Sequence, residues 1–355
     1  MWRPLARRMA TRDTSSGGRA AAACDKRPKL SVVLPNYNHA RFLPDALDAL
    51  LAQTMPADEI IVIDDASTDD SLKVIESYRL RFPRFVVISN ESNRGVIPNL
   101  NAGLRAASGT FLYCAAADDR SHPSLFEQAV GLLETHPQAA LFSARCNIIS
   151  ERGEPQGILP TPIPLLVPGF LPVTAVRRKL LDDDGWFVGP STVWRREYLL
   201  NVGGFPENLG AFTDGFVSRQ LALMHGACFS PELLSSWRRM EGGYAWEASS
   251  IDKAQDLIEQ VRRKAEETEG VFPPGYLALW ARRYIFGVKR FNLIQMRRHA
   301  RTVGHVHWIK SCMVEAVLTA WYFATLRAGD AMAVVRRRFL SATIRRGRSA
   351  QSAPR

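Results

Sequence analysis

Short β-branched runs alternating with segments of helical spacing constrain this chain more than any other feature of its sequence. LSVVL (30–34) is followed by Leu43, Leu47, Leu50 and Leu51 at helical spacing. EIIVID (59–64) ends in the turn-rich DASTDD, after which Leu72, Ile75 and Tyr78 mark a helix capped by Thr68 or Asp69. FVVIS (85–89), the helical VIPNLNAGLRAA (96–107) and TFLYCAA (110–116) repeat the unit. Strands that alternate with helices build a parallel α/β sheet, and ligands of such sheets gather outside the carboxyl ends of the strands. The polar residues after each run are therefore expected on one rim: Pro35 to Asn38, Asp64 to Asp69, Asn93 to Gly95, and Asp118 with Asp119.

A helix from about Pro123 and a strand around 140–147 continue the pattern, which then breaks at ERGEPQGILPTPIPLLVPGFLP. Long Pro/Gly-rich excursions in compact domains are often functional. From Asp252 the chain reads as helices, with Arg/Lys clusters interleaved with aromatics such as Trp280, Tyr284 and Trp308. The expected organisation is a disordered basic extension at 1–28, an α/β domain at 29–250, a helical region at 251–345 and a disordered tail at 346–355.

Hydrophobic residues at 46% and charged residues at 23% exclude a disordered or multi-span membrane chain. Five widely separated cysteines without a C-x-x-C pair indicate neither a disulfide framework nor zinc, which fits a reduced, cytoplasmic compartment. The most apolar late stretch, Cys312 to Leu326, contains Glu315 and is shorter than the roughly 20 residues that span a bilayer. The net charge of +11 is unevenly placed: residues 1–29 carry eight Lys/Arg against two acids, residues 281–355 carry sixteen against two, and the middle is acidic. Basic ends on an acidic body argue against nucleic acid. They suit a solvated tail or, through Arg297, Arg298, Arg301, Lys310, Arg336, Arg337, Arg338, Arg345 and Arg346, an interfacial helix on anionic lipid at the inner face of a membrane.

Two acidic clusters carry the candidate chemistry. Asp64-Asp65-x-Ser67-Thr68-Asp69 could bind a ribose or a base N–H, or could cap the next helix. Ala116-Ala117-Asp118-Asp119 could hold a hard divalent cation that neutralises a diphosphate, or could likewise be a cap. Two such clusters at two strand ends of one sheet favour a shared nucleotide-and-metal site. No Ser-His-Asp arrangement, Walker loop or G-x-G-x-x-G is present, which counts against a triad hydrolase, a P-loop NTPase and a dinucleotide oxidoreductase.

The run KLSVVLPNYNHARFLPDALDALLAQTMPADEIIVIDDASTDDS, then NRGVIPNLNAGLRAASGTFLYCAAADD, and GWFVGPSTVWRREYLLNVGGFPENLGAFTD resemble the family 2 glycosyltransferases, out to about residue 245. The resemblance implies the GT-A fold, a Rossmann-like, mostly parallel α/β sheet, here with a C-terminal helical extension. It implies inverting sugar transfer from a nucleoside-diphosphate sugar, a UDP-sugar favoured, to a glycan or lipid-linked acceptor in surface polysaccharide or lipid-linked glycan synthesis. Carried over by position, Pro35, Tyr37 and Asn38 line the nucleotide pocket, Asp64 and Asp65 contact base and ribose, and Asn93, Arg94 and Gly95 lie beside the nucleotide. Asp118 is the retained acid of a metal-binding pair and holds Mn²⁺ or Mg²⁺. Asp214 is the catalytic base, and Trp186, Trp237 and Arg238 lie on the acceptor side, where Arg238 could also meet the diphosphate. Two departures stand out: Ala116 replaces the first acid of the metal motif and Thr213 the first acid of the catalytic pair. They raise the alternative of a catalytically impaired nucleotide-sugar-binding or scaffold protein.

Overall fold

A computed structural model of the chain describes residues 30–240 and 251–303, together with position 317. The expected terminal segments and the basic stretch from 304 onward lie almost wholly outside these residues.

The element order is β1 (Leu30–Asn36), α1 (Leu43–Leu51), β2 (Glu59–Asp64), α2 (Ser71–Ser77), β3 (Phe85–Ser89), α3 (Val96–Ala106), β4 (Phe111–Cys114), β5 (Arg120–Ser121), α4 (Leu125–Thr135), β6 (Leu141–Ile149) and β7 (Pro155–Ile158). It continues with β8 (Gly169–Leu171), α5 (Val173–Asp182), β9 (Val193–Arg195), α6 (Arg196–Asn201), α7 (Thr213–His225), β10 (Ala227–Arg238), α8 (Ile251–Glu266) and α9 (Tyr276–Val303). The sheet runs β3-β2-β1-β4-β9-β6-β10-β5, with β7 on β6 and β8 on β10. The alternating half is parallel, as the pattern requires: β2 pairs β3, and β1 pairs both β2 and β4. Beyond β4 the sheet is mixed. β9, reached after the Pro/Gly-rich excursion, enters antiparallel between β4 and β6, while β6 and β10 are parallel. Helix α5 precedes β9, yet the strand runs antiparallel to both its neighbours, so the simple strand–helix crossover does not carry past β4.

The continuous apolar runs reflect burial on both faces of the sheet. All six residues of β2 are buried. Ile60 and Val62 face the core under α1, α2 and α4, whereas Ile61 and Ile63 face the one under α3, α5, α6 and α7. Gly103 of α3 lies so close on β1 that a Cβ there would collide with the Val33 side chain. Val261 and Ala265 of α8, with Tyr276 and Trp280 of α9, join the second core. The helices that follow residue 250 thus share a hydrophobic core with the sheet. Among the described residues no helix is long and apolar enough to cross a membrane.

At the edge of the sheet opposite the polar rim, Glu59 ties three segments together. Its Oε1 accepts bonds from Ser31 Oγ at 2.6 Å, Ser108 N at 2.6 Å and Ser108 Oγ at 2.8 Å. Arg84 pairs with Oε2 at 3.1 Å. Burial alone would raise this carboxyl, but the Ser31 and Ser108 donors and the Arg84 charge hold it below the usual glutamate value. Glu59→Ala leaves buried donors unpaired and is expected to cost about 2 kcal/mol, read as a lower urea midpoint. Because the folded-state pKa is depressed, the difference from wild type is full above the unfolded value near ~4.3 and closes as pH falls through the folded one.

Candidate active site

Side-chain bonds gather the polar ends of β1 and β2 and the loop after β3 into one rim. Asn36 Nδ2 donates to Asp64 Oδ1 at 2.9 Å and to Ser67 Oγ at 3.1 Å, and Asp64 Oδ2 accepts the Ser67 N–H at 3.0 Å. Asn38, left-handed at φ 56°, accepts the Thr68 N–H on Oδ1 at 2.7 Å. Asparagine tolerates that conformation, whereas Ala66 at φ 60° on the facing loop is strained, a feature that concentrates at functional sites. Asp65 Oδ1 accepts from Asn90 Nδ2 at 2.7 Å and from the Arg94 N–H at 2.9 Å, and Oδ2 accepts from the Gly95 N–H at 2.8 Å. Asn93 Oδ1 also meets the Gly95 N–H, at 3.0 Å. Both carboxylates are buried and every oxygen is already an acceptor, so Asp64 and Asp65 hold the rim loops in place. Pro35 is half-buried, while Tyr37, at 42% exposure, and Arg94 stand open on the rim. Asp69, not Thr68, bonds the first N–H of α2, accepting from Ser71 at 2.9 Å.

The loop after β4 is held from below by Arg238. Its backbone N–H donates to Asp119 Oδ1 at 2.8 Å and its Nε to the Asp118 carbonyl at 2.6 Å. Nη1 donates to the carbonyls of Glu151 (2.8 Å) and Ser150 (3.3 Å), and Nη2 pairs with Asp45 at 2.8 Å. The Phe42 ring lies 5.0 Å from the guanidinium carbon. This corrects the acceptor-side reading of Arg238: the side chain is buried and each of its guanidinium nitrogens already donates to a partner inside the protein. Trp186 is corrected too. It is 0% exposed and packs against Phe187 and Phe229, a core residue and not a wall for a sugar ring. Trp237 is half-buried beneath the Arg239 guanidinium, 5.7 Å from its ring centre. Asp118 is half-buried, and among the described residues no side chain hydrogen-bonds its carboxylate. Burial raises Asp118, partly countered by the charges of His39 and Arg238, and burial with the Asp118 charge raises Asp119 further.

Asp214 lies in the first turn of α7, and its Oδ1 accepts the Gly215 N–H at 2.6 Å. Its Oδ2 sits against the 3-10 turn Gly189–Ser191, so close that a Cβ on Gly189 would collide with it. The Asp214 charge also acts on the Cys114 thiol at the end of β4, which puts the carboxylate beside the strand that leads to Asp118. Burial pushes the Asp214 carboxyl up, the Gly215 N–H and the Arg219 charge offsetting part of the rise. Thr213 instead donates its hydroxyl to the Pro206 carbonyl at 2.9 Å. The preceding Gly203-Gly204-Phe205 is seated by Asn101 of α3, which exchanges 2.8 Å bonds with both backbone groups of Phe205. Sequence reasoning missed a buried triad behind Asp214, made of Asp184, Arg219 and Tyr276. Its one visible signal is an arginine inside the otherwise apolar FVSRQLAL.

Residues 31–198 match the model of glycosyl transferase family 2. The match contains the rim loops and Asp118 and stops short of Asp214. The uncharacterized glycosyltransferase YibD of Escherichia coli is 32% identical over 136 residues, 38% of this chain and 38% of its own length. The poly(ribitol-phosphate) beta-N-acetylglucosaminyltransferase TarS of Staphylococcus aureus is 26% identical over 189 residues, 52% of this chain and 31% of its own length. The chain thus spans well under half of these curated relatives. Among solved structures, S. aureus TarS 1-349 in complex with UDP-GlcNAc superposes with a TM-score of 0.55 at 19% identity, over 90% of this chain and 92% of that one. The mannosyltransferase PcManGT of Pyrobaculum calidifontis in complex with GDP-Man and Mn²⁺ gives 0.54 at 23% identity, over 90% and 87%. The fold is the GT-A fold of these glycosyltransferases.

The residues of the site fit a divalent ion only in a particular way. Among the described residues no group of three or more His, Cys, Asp or Glu side chains could hold one. In the loop after β4, Asp119 accepts the Arg238 N–H, whereas no side chain among the described residues hydrogen-bonds the Asp118 carboxylate. Small hard cations are commonly held by one or two carboxylates and substrate phosphates, so the residues suit an ion that arrives with a diphosphate and not a free metal site.

Gly189→Ala is expected to lower transfer turnover by about 10²-fold, because the methyl group displaces the Asp214 carboxylate. Steady-state rates beside a melting curve that stays cooperative check this outcome.

Proposed function

We propose that the protein is an inverting glycosyltransferase that moves a sugar from a nucleoside-diphosphate sugar, a UDP-sugar favoured, to a hydroxyl of a glycan or lipid-linked acceptor. The observation that carries this reading is Asp214: a half-buried carboxylate of raised pKa, mounted in the first turn of a helix and set against the Gly189–Ser191 turn. A base whose pKa is lifted toward the working pH accepts a proton in the transition state more effectively than an ordinary carboxylate. Asp214 takes the proton of the acceptor hydroxyl as its oxygen forms the bond to C1 of the donor sugar. The bond from C1 to the diphosphate breaks on the opposite face, which inverts the configuration. Tyr37 offers an exposed ring for the base, and the rim loops held by Asp64 and Asp65 present Asn38, Asn93, Arg94 and Gly95 to the nucleotide. A Mn²⁺ or Mg²⁺ ion held by Asp118 would supply charge neutralisation at the leaving diphosphate. The relative named a poly(ribitol-phosphate) beta-N-acetylglucosaminyltransferase supports a polymeric acceptor, and we place the reaction in polysaccharide or lipid-linked glycan synthesis at the inner face of a membrane, with the basic C-terminal residues toward anionic lipid.

Asp214→Asn is expected to lower turnover by about 10²- to 10⁴-fold while leaving UDP affinity unchanged. Unchanged turnover would remove Asp214 as the base, and absence of transfer by the wild type would favour the impaired or scaffold alternative that Ala116 and Thr213 raise. In wild type the acid limb of kcat/KM is expected above the ordinary aspartate value of ~3.9, since protonation removes the base. Calorimetric titration of UDP, GDP and dTDP tests the donor site. One nucleotide is expected to bind more tightly with Mn²⁺ present, and Asp118→Ala to remove that increment; absence of binding by all three at millimolar concentration would overturn the reading.

A further inference from the structure

The triad behind Asp214 joins three parts of the chain far apart in sequence. Asp184 follows α5, Arg219 is one turn into α7 beyond Gly215, and Tyr276 is the first residue of α9. Arg219 Nε lies 3.1 and 3.2 Å from the two Asp184 oxygens, and Nη2 lies 2.9 Å from Oδ1. The Tyr276 hydroxyl donates to Oδ2 at 2.8 Å, and the Gly185 N–H reaches Oδ1 at 2.5 Å. All three side chains are buried. An ion pair so far from water persists only when its remaining donors and acceptors are satisfied, and Tyr276 supplies part of that.

Arg219 has one further donor, and it points at the catalytic turn. Nη1 bonds the Gly215 carbonyl at 2.7 Å, on the residue whose N–H holds Asp214 Oδ1. Phe212, two residues before Asp214, lies 5.1 Å from the guanidinium and packs its ring on Trp280 (4.8 Å) and Tyr284 (5.9 Å) of α9. Arg283 of the same helix donates to the carbonyls of Leu180, Leu181 and Asp182, the end of α5 that leads to Asp184. Helix α9 therefore grips the segment that carries Asp214 from both sides: through Arg219 from behind, and through Phe212 in front.

We infer that α9 is a positioning element of the active site, in which Tyr276 and the Trp280–Tyr284 face orient the Asp214 carboxylate through Arg219 and Phe212. The inference rests on the reading of Asp214 as the base and lies outside the family-matched segment. It assigns the C-terminal helix a catalytic consequence, whatever its distal residues contact. Tyr276 and Trp280 are positioning residues and touch no reacting atom.

The test uses the full chain and two mild variants. Tyr276→Phe removes one hydroxyl and keeps the ring; Trp280→Phe loosens the seat of Phe212 without touching the ion pair. Amide exchange is followed over residues 212–219, with the rim loops at 35–38 and 64–69 as internal reference. Both variants are expected to exchange at least tenfold faster at 212–219 with unchanged rim loops, and unchanged exchange in both overturns the inference. In steady-state assays kcat is expected to fall about tenfold, with the donor KM and UDP affinity within twofold of wild type. A lowered melting temperature with kcat unchanged would mean a purely structural role and would overturn the inference. A wild-type protein that binds no nucleotide and transfers no sugar would sink the functional reading itself, while the exchange data still judge the coupling of α9 to the 212–219 segment.

Discussion

Buried carboxylates must find donors, and in this protein that requirement shapes the working edge of the sheet. Asp64 and Asp65 end β2 in a position from which water is excluded. Their four oxygens recruit Asn36 from β1, the Ser67 N–H from their own turn, and Asn90, Arg94 and Gly95 from the loop after β3. A loop on its own would sample many shapes. Here the penalty for an unpaired buried charge selects one arrangement and delivers Tyr37, Asn38 and Arg94 to a common rim. Asp65 is held below the usual aspartate range, because those donors outweigh a burial effect that alone would raise it.

The second half of the molecule is organised by cations in the same manner. Arg238 at the end of β10 gathers α1, the turn after β6 and the Asp118–Asp119 loop around one guanidinium, a use that the fixed fork of arginine allows and lysine would not. Arg219 plays the corresponding part behind Asp214. The site is thus bracketed by two buried arginines, neither of which is exposed to bind substrate. Each restrains the backbone that carries a candidate site carboxylate, Asp118 in one case and Asp214 in the other.

The parts of the site that were legible in the sequence are those where local pattern and function coincide. The β-branched runs placed the ends of β1, β2 and β4 to within two residues, Asn36 against an expected Leu34 and Cys114 against Ala116, so the rim could be drawn from spacing alone. Arg238 and Trp186 were misassigned because an arginine or a tryptophan near a motif has the same local signature whether it faces a ligand or the core. Asp184, Arg219 and Tyr276 were invisible because their partnership spans more than ninety residues and has no period. The parallel arrangement was readable only as far as the strand–helix alternation persisted, and β9 showed where that rule ends.

The sequence by itself determined the parallel β3-β2-β1-β4 half-sheet and the side of it on which polar residues collect, since both depend on residues close together along the chain. Only the tertiary structure decided which polar groups face outward and which are consumed as internal partners. It also decided that the helices after 250 are built into the same core as the turn that carries Asp214. Those outcomes depend on burial and on contacts between distant segments, and neither quantity exists until the chain has closed on itself.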